Sequence, residues 1–481
     1  MASFEPVIGL EVHAQLLTQS KLFCSCAVEV GREANTSVCP VCLGLPGALP
    51  VLNERALSLA VRAALALGLE IHQESVFARK NYFYPDLPKG YQISQFEEPY
   101  SQRGHLDFEL DGQWKRAGIT RIHMEEDAGK NVHGRGSDSA VDLNRAGTPL
   151  IEIVGDPDLR SSAEAAAYLR ALREILMFLG VNDGNLEEGS FRCDANVSIR
   201  PVGETKLGTR VELKNINSFR FVQKAIDVEI ARQKALIEAG APIAQETRGY
   251  DAEHNRTYSL RSKEEAHDYR YFPDPDLPVV RISDELLSQE RDQLPELPEA
   301  VRKRWRGEGL PEPAIATLTA HPEYVRFVEG VRAKGSGVEG ATPSFIKIAN
   351  FVQTEVLRGV TLDGLKATFS VDADQVYRIL DLVQAGRISG KQAKELLALV
   401  EGTKADPEAV VQERGMEVVS DAGALAATLQ RLLIANPKQA EGLRAGKQQL
   451  AGFFVGQVMK ETGGSADPKL VAELLAKLVG S

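Results

Sequence analysis

The sequence is poor in the features that mark membrane proteins, secreted proteins and proteins that coat nucleic acid. No apolar run in its 481 residues approaches the roughly 20 residues that a membrane-spanning helix needs. The opening MASFEPVIGLEVHAQL has neither a basic start nor an Ala-x-Ala cleavage site, so we expect no signal peptide and a cytoplasmic location. Lys and Arg number 56 against 67 Asp and Glu, a net charge of −11. That balance argues against a nucleic-acid coat protein, although a local basic face could still bind a phosphate backbone.

Cysteine is also scarce, and its five residues are an odd number for a framework of disulfides. Four of them form two short pairs, Cys24-Ser-Cys26 and Cys39-Pro-Val-Cys42. Four thiolates can close a tetrahedral site, and the second pair has the spacing of structural zinc sites, while the first is one residue tighter. We therefore predict a structural zinc site, with unrelated small core residues as the alternative. Cys193 is predicted to be a buried small apolar residue rather than a nucleophile.

A phosphate-binding loop of the Walker type is missing. The near match, GRISGKQ at 386–392, is one residue short and has Gln where Ser or Thr is required. It also follows a predicted helix, whereas such a loop follows a strand. Any ATP site in this protein must therefore be built in another way.

The fold is predicted to be α+β, with a mixed sheet first and helices afterwards. Strand-like runs such as VIGLEVHAQL and TPLIEIV show period-two alternation. Between them, helices are predicted from their capping and terminating residues at 53–67, 162–179 and about 217–238. After a charged stretch around Pro295 and Pro298 the chain becomes helical, with helices predicted at 344–357, 371–384 and 391–400.

These changes of composition predict three domains. The first is a mixed-sheet domain over 1–292, with the cysteine pairs at 24–42, and the second is an all-α domain over 293–405. A break at EGTKADP precedes an all-α tail over 406–481. From 405 to 481 the chain has 8 Lys and Arg against 9 Asp and Glu, so the tail is nearly neutral in an acidic protein.

A group of polar residues interrupts the strand-like runs. Glu11 and His13 flank Val12, so period two places both on one face, while HMEED at 123–127 and Glu152 lie in or after other runs. Carboxylates with a histidine can hold a hard cation such as Mg²⁺. Taken singly, each residue is better explained as a solvated charge or a hydrogen-bonded core histidine.

Basic and aromatic residues alternate in RKNYFYPDLPKGY at 79–91, and DYRYFPD at 268–274 has a similar character. Such segments suit phosphate contacts combined with stacking on a base. A pair of aromatic turns that cover the edge of a core is an equally good explanation.

Seven segments in order resemble one known family. They are VIGLEVHAQL, RKNYFYPDLPKGYQISQ, HMEEDAGK, VDLNRAGTPLIEIV, EEGSFRCDAN, ELKNINSFRFV and DYRYFPDPDLP. Together they are similar to the catalytic core of the B subunits of tRNA-dependent amidotransferases, over about residues 4–280. The helical remainder is similar to that family's helical domain and YqeY-like tail, and we predict that the tail contacts tRNA. The resemblance implies a cradle-like catalytic domain, which agrees with the missing Walker loop.

The resemblance also implies an activity. The family's B subunits use ATP and Mg²⁺ to phosphorylate the side-chain carboxylate of Glu-tRNA(Gln) or Asp-tRNA(Asn). Ammonia released by the amidase of the complex, its A subunit, then displaces the phosphate, and a small C subunit completes the heterotrimer. The sequence has no Ser-Lys amidase signature of its own, so it needs such a partner.

Roles for individual residues follow from the matched motifs. The Mg²⁺ ligands would be His13, Glu126 and Glu152, with Glu11 close by. Glu125 and Asp127 are the neighbouring alternatives to Glu126. The catalytic residues would be Glu126, Lys80, Tyr82 and Asp194, with Lys80 and Tyr82 near the mouth of the ammonia passage. The cofactor contacts would be Arg79, Tyr84 and Lys214. Asp194, Asn196 and Lys214 are candidates for contact with a second metal or with phosphate.

Two other functions remain open from the sequence. A non-catalytic, zinc-containing tRNA-binding subunit would need the cysteines and the aromatic-basic segment but not the carboxylates. A metal-dependent hydrolase is disfavoured because no open zinc triad is present. The archaeal-type E subunit shares the core but carries an inserted domain, and we see no such insertion here.

Overall fold

The computed structural model describes residues 3–135, 138–216, 218–262, 269–336, 342–417, 422–462 and 466–479. Asn217 and Asp268, which begin a predicted helix and a predicted aromatic segment, lie outside these ranges. The chain folds as two compact units, Met1–Pro298 and Glu299–Ser481. The division of the second unit into two domains stays a prediction.

The described part of the first unit is built on strands and four helices. The strands are β1 (Phe4–Gln15), β2 (Glu70–Ile71), β3 (Glu74–Ser75), β4 (Ala78–Asn81), β5 (Tyr91–Ser94), β6 (Ser101–Leu110), β7 (Gln113–Glu126), β8 (Lys130–Arg135), β9 (Asp138–Asp142), β10 (Pro149–Gly155), β11 (Phe191–Pro201), β12 (Val211–Ile216), β13 (Glu246–Asp251), β14 (Arg256–Ser262), β15 (Phe272–Pro273) and β16 (Val280–Arg281). The helices are α1 (Glu54–Ala66), α2 (Ser162–Phe178), α3 (Phe219–Glu238) and α4 (Asp284–Asp292).

One large mixed sheet organises this unit. Its strand order is β14-β13-β12-β11-β1-β10-β7-β5-β4-β15, with β6 and β2 joined beside β7. The pair β12–β13 is parallel, and β1 pairs in antiparallel fashion with both β10 and β11. The predicted mixed sheet is therefore confirmed, and β1 lies at its centre.

The alternation of β1 separates the two faces of the sheet. Ile8, Leu10 and Val12 belong to the buried apolar core, which also contains residues of α1, α2 and α3. Glu11 and His13 point to the opposite face, where they stay partly accessible. A sheet covered by helices on one face thus presents polar side chains on the other, and this open face carries the candidate site.

The helix ends follow local chemistry. Asn53 caps α1 with its side-chain oxygen, and Ser161 and Ser218 cap α2 and α3 in the same way. Gly68 and Gly180 follow α1 and α2 with positive φ, the conformation that a helix-terminating glycine supplies. These caps confirm the three helices predicted from the sequence, with bounds that differ by one or two residues.

The second unit is helical. Its helices are α5 (Pro298–Gly307), α6 (Glu312–Leu318), α7 (Pro322–Lys334), α8 (Phe345–Thr354), α9 (Ala373–Gln384), α10 (Gly390–Val400), α11 (Pro407–Arg414), α12 (Ala422–Ala435), α13 (Pro437–Arg444), α14 (Gln449–Glu461) and α15 (Pro468–Val479). A short hairpin, β17 (Thr361–Asp363) with β18 (Lys366–Thr368), interrupts them. Helices α12 to α15 share a core of their own around Leu429, Phe454 and Val471.

The rejected phosphate loop has a structural role here. Ser389 and Gln392 form a reciprocal capping box at the start of α10, so Gln392 is a helix-capping residue. Across the described ranges, no helix is long and apolar enough to cross a membrane.

Candidate active site

A row of polar side chains crosses four strands on the open face of the sheet. Arg192 of β11 is paired with His13 of β1, His13 with Glu152 of β10, and Glu152 with His123 of β7. Because directly opposed residues of antiparallel strands point to the same face, the four side chains form one line. The register of the sheet therefore brings together residues that are up to 179 positions apart in the chain.

Within this row lies a group that can hold a metal ion. One ligand atom each from His13, Glu125 and Glu152 lies within 4.8 Å of the others. His13 Nε2 is 3.3 Å from Glu152 Oε2, and His123 Nε2 is 3.1 Å from Glu125 Oε1. One imidazole and two carboxylates are a donor set that suits a hard divalent cation which also binds substrate phosphates.

Neighbouring side chains fix the orientation of Glu125. Ser94 Oγ donates to Glu125 Oε1 at 2.6 Å, and Gln92 Nε2 donates to Glu125 Oε2 at 3.0 Å. Both donors lie on β5, next to β7 in the sheet. A ligand whose two oxygens already accept hydrogen bonds is held in place before any metal binds, and such supporting contacts sharpen metal sites.

The structure does not bring Glu126 into this group, although the matched motif placed it among the Mg²⁺ ligands. Glu126 follows Ile122 and Met124 on the core face of β7, because side chains of a strand alternate. There it is paired with Lys89 Nζ and accepts from the Ile93 backbone N–H at 3.0 Å. Glu125 takes its place, one residue earlier in the strand.

The electrostatics of the group keep its carboxylates charged. Burial raises the pKa of Glu152, but His123, His13 and Lys80 outweigh it and lower that pKa well below its ordinary value. Burial likewise raises the pKa of Glu125, which Lys80 and His123 lower on balance. Two ionised carboxylates in a sheltered place favour the binding of a cation.

Lys80 lies beside the metal-binding group, and aromatic rings surround it. Its Nζ is 5.0 Å from the centre of the Tyr269 ring and 5.8 Å from that of Tyr82. Burial lowers the pKa of Lys80, but the attraction of Glu125 and further anionic neighbours raises it overall, so the ammonium stays charged. Burial also raises the pKa of Tyr82 to about 12, so this phenol stays neutral.

A second polar cluster lies one row further along the same face. Lys214 Nζ is 2.5 Å from Asp194 Oδ2 and 3.5 Å from a carboxylate oxygen of Glu212. Asn196 Nδ2 donates to Glu11 Oε1 at 2.8 Å. Burial and the neighbouring carboxylates raise the pKa of Glu11. The predicted residues Asp194, Asn196 and Lys214 are therefore together, beside the metal-binding group.

Two cavities open on these clusters. The larger has a volume of about 970 Å³ and includes Tyr84, Asp127 and Arg192 in its lining. The smaller, of about 530 Å³, includes Glu11, Glu152 and Arg121. Both are lined by the shared set His13, Lys80, Glu125, Lys214, Thr247 and Tyr269. The metal-binding group thus lies where the two cavities meet, with room on either side for a separate substrate.

Arg79 is not in this site, although the matched motif placed it among the cofactor contacts. Its Nε donates to Asp274 Oδ2 at 2.8 Å, its Nη2 donates to Asp276, and its guanidinium covers the Tyr91 ring at 4.2 Å. It lines a different cavity of about 300 Å³, beside Cys42 and Glu126. Arg79 therefore ties β4 to the segment after β15.

The four cysteines form one cluster on the side of the sheet that bears Glu126. The Sγ atoms of Cys24, Cys26, Cys39 and Cys42 all lie within 4.8 Å of one another. Hydrogen bonding from Cys24, together with the nearby Lys21 ammonium, holds the pKa of Cys42 well below its usual range. This cluster could bind a metal such as zinc, because four convergent thiol groups match the ligand set of structural zinc sites.

Sequence reasoning missed three contributors to the site, Gln92, Ser94 and Arg192, and it grouped His123 with the carboxylates without giving it a role. The alternation IHMEE could have shown that His123 and Glu125 share a face opposite to Ile122 and Met124. The roles of Gln92, Ser94 and Arg192 depend on the register between strands, for which the sequence carries no local signal.

Comparison with known proteins bears on the same residues. Residues 6–288 match the family model described as GatB/GatE catalytic domain, and residues 338–479 match the one described as GatB domain. Three similar relatives are each named as the B subunit of an aspartyl/glutamyl-tRNA(Asn/Gln) amidotransferase. The protein from Solidesulfovibrio magneticus is 52% identical, and the alignment covers 100% of each chain. Those from Geobacter sulfurreducens and Persephonella marina are 53% and 50% identical, with 99% of each chain covered.

Proposed function

Given that the chain belongs to the family of aspartyl/glutamyl-tRNA(Asn/Gln) amidotransferase B subunits, we propose that its open-face site phosphorylates the side-chain carboxylate of a misacylated tRNA. The substrates would be Glu-tRNA(Gln), Asp-tRNA(Asn) or both, with ATP as the phosphoryl donor. The same site would then convert the activated acid into the amide. The observation that carries this proposal is the group formed by His13, Glu125 and Glu152 at the meeting point of two cavities.

The group fits Mg²⁺ by the chemistry of its donors. Mg²⁺ binds through one or two carboxylates and keeps other positions for water and substrate phosphates. Such an ion would neutralise charge on the transferred phosphoryl group. His13, Glu125 and Glu152 would hold it, and His123 would orient both carboxylates from its position 3.1 Å from Glu125 and 3.7 Å from Glu152.

The chain's own cations have separate tasks in this proposal. Lys80 keeps its charge over the carboxylate group and would orient the anionic side chain of the aminoacyl ester. Lys214, which lines both cavities, would contact phosphate oxygens. Tyr82 and Tyr84 line the larger cavity and could stack on an adenine ring.

The proposed reaction balances in two steps. A carboxylate oxygen of the substrate forms a bond to the γ-phosphorus, and the bond from phosphorus to the bridging oxygen breaks as ADP leaves. Ammonia then attacks the acyl carbon, and the bond from that carbon to the phosphate oxygen breaks. The attacking nitrogen loses one proton, and inorganic phosphate carries it away. Because water would hydrolyse the acyl phosphate, a sheltered site favours amidation.

Ammonia requires a partner. We propose a cytoplasmic heterotrimer with two further chains, an amidase (the A subunit) and a small C subunit, as the family resemblance implies. The four-cysteine cluster would hold a structural zinc ion and take no part in the reaction.

Trapping of the intermediate tests this function. The assay uses the protein co-purified with its partners, together with ATP, Mg²⁺ and Glu-tRNA(Gln). Added hydroxylamine should then convert the acyl phosphate to a hydroxamate. Glu152→Gln should lower the hydroxamate yield at least about 100-fold, because it removes a coordinating charge. Glu109→Gln, which changes an exposed residue of β6, is the matched control.

The second candidate function, a non-catalytic tRNA-binding subunit, predicts a different outcome. No ATP-dependent hydroxamate would then form with the wild-type protein, although the tRNA would still be retained on a filter. The ionised Glu152 beside Glu125 favours the catalytic alternative, because two buried charges are not needed to bind tRNA.

A further inference from the structure

Arg192 is a guanidinium at the edge of the metal-binding group that the family motifs did not single out. It is paired in register with His13, and it lines the larger cavity. We propose that Arg192 contacts the transferred phosphoryl group and that Asp127 positions it for this task. This inference rests on the proposed function, since it names the residue that would meet the phosphoryl group at that site.

Asp127 fixes the orientation of the Arg192 guanidinium. Asp127 is 4% exposed, and its Oδ2 accepts from Arg192 Nη2 at 2.9 Å and from Gln15 Nε2 at 2.7 Å. Its Oδ1 accepts from the backbone N–H of Ala128 at 2.9 Å. A buried carboxylate fixed by three donors is a rigid support. It therefore sets the direction of the guanidinium without help from a ligand.

The local charge balance leaves Arg192 with capacity for an anion. Arg145 Nε also lies 3.7 Å from Asp127 Oδ2, so one carboxylate faces two guanidinium groups. The nearby Asp194 is 2.5 Å from Lys214, and Glu125 already accepts from Ser94 and Gln92. Asp127 and the two arginines therefore carry a net positive charge, and Asp127 and Arg192 line the larger cavity.

The donors of Arg192 are only partly used. Among the described residues no acceptor lies within hydrogen-bond distance of its buried Nε. The side chain keeps 36% of its surface accessible although Asp127 takes one of its N–H groups. An arginine presents five N–H donors in a fixed planar fork that matches the oxygens of a phosphate. An arginine whose role was only to anchor β11 would have no need of this accessible portion.

The proposed contact needs no proton transfer. As the bond between phosphorus and the ADP oxygen breaks and the bond to the substrate carboxylate forms, Arg192 donates N–H hydrogen bonds to non-bridging phosphoryl oxygens. It stays protonated throughout, since burial lowers its pKa less than Asp127, Asp194 and Glu125 raise it. Arg192 would thus act by stabilising charge and not as an acid or base.

The first test separates this contact from a structural role by chemical rescue. In the co-purified complex, Arg192→Ala should lower kcat for hydroxamate formation about 100- to 1000-fold, the loss typical for one donor to developing charge. Added guanidinium ion should raise the kcat of this variant at least about tenfold, and the effect should saturate as its concentration increases. The same concentration of methylammonium should not raise kcat. Arg116→Ala, which removes an exposed arginine from the pair with Asp107, should change neither rate nor rescue.

A binding measurement supplies a readout that does not depend on turnover. Arg192→Ala should weaken the β,γ-imido analogue of ATP about tenfold and leave ADP within about twofold, because only the analogue has the third phosphate. Arg192→Lys, which keeps the charge without the fork, should fall between the wild type and the alanine variant in both assays. Thermal unfolding of each variant shows whether it is folded before either assay is read.

The outcomes are distinct. Unchanged kcat in a folded Arg192→Ala variant, or a loss confined to the KM for tRNA, would overturn the phosphoryl contact. Equal weakening of ADP and the imido analogue, or no rescue by guanidinium, would also overturn it. Absence of hydroxamate from the wild-type complex would instead refute the proposed function on which the inference rests.

Discussion

Two adjacent glutamates on β7 offer the sharpest test of the site. Glu125 faces the open side of the sheet with His13 and Glu152, whereas Glu126 faces the side that bears the cysteine cluster. Changing each in turn to Gln removes one charge and nearly no volume. If the faces are assigned correctly, the two variants should fail in different ways.

For Glu126→Gln the expected loss is one of stability. The side chains of Glu126 and Lys89 are 4% and 9% exposed, and they form an ion pair. Removing one partner of a buried pair leaves the other charge unpaired and costs about 3–5 kcal/mol. At about 2–4 °C for each kcal/mol in a unit of this size, the melting temperature should fall by about 6–20 °C. Below that temperature the Mg²⁺ requirement should stay the same.

For Glu125→Gln the expected loss is in metal binding. A unit charge about 4 Å from another contributes about 4 kcal/mol at an effective dielectric constant near 20, and a divalent ion doubles this gross attraction. Desolvation offsets part of it, so we expect a net loss of about 2–4 kcal/mol. That corresponds to a rise of about 30- to 1000-fold in the Mg²⁺ concentration needed for half-maximal rate. Glu152 remains as an anionic neighbour of Lys80, so the change in melting temperature should be small.

The assay is a Mg²⁺ titration of phosphate release dependent on Glu-tRNA(Gln), run beside thermal unfolding of the same samples. Filter binding of the tRNA serves as a control, because one charge on the sheet should change that affinity little. The reasoning is refuted if Glu126→Gln shifts the Mg²⁺ midpoint while Glu125→Gln leaves it unchanged. Equal midpoints for both variants and the wild type would place the metal elsewhere.

Three further predictions concern the rest of the chain. The purified single chain should release no ammonia from glutamine, and any such release in an amide assay would contradict the need for an amidase partner. It should hold about one Zn²⁺, and Cys42→Ser should lower both zinc content and melting temperature, a result that full metal content in the variant would exclude. Deleting residues 422–481 should raise the KM for aminoacyl-tRNA and leave the first unit folded, and an unchanged KM would show that the tail is not a tRNA contact. That deletion keeps α11, which packs on α9 and α10.

The elements that the sequence predicted well are those with local signals. The caps Asn53, Ser161 and Ser218 and the terminators Gly68 and Gly180 lie within a residue or two of the helix ends that they define. The hairpin β17–β18 was not predicted, because its strands are only three residues long and too short to show alternation. Residue propensity and hydrophobic periodicity therefore predicted the helices and strands, but only those long enough to show a pattern.

The site was predicted less completely, because its parts meet through the register of the sheet. His13, Glu152, Lys80, Tyr82 and Lys214 were named from motifs and do lie around the shared cavities. Arg79 was placed among the cofactor contacts from the same motifs. Period two turns it away, and its partner Asp274 lies 195 residues further along the chain.

The placement of Glu126 shows how much depends on a single position in a strand. HMEED contains three consecutive acidic residues, so the motif alone gives no reason to choose one of them as the Mg²⁺ ligand. The strand distinguishes them by face. Ile122 and Met124 are fully buried in the core, so Glu126 must follow them, and His123 and Glu125 must face the other way. A one-residue slip would turn Glu125, the proposed metal ligand, toward the core and leave Lys89 without its partner. The apolar residues of β7 thus determine which glutamate can bind the metal, although neither of them touches it.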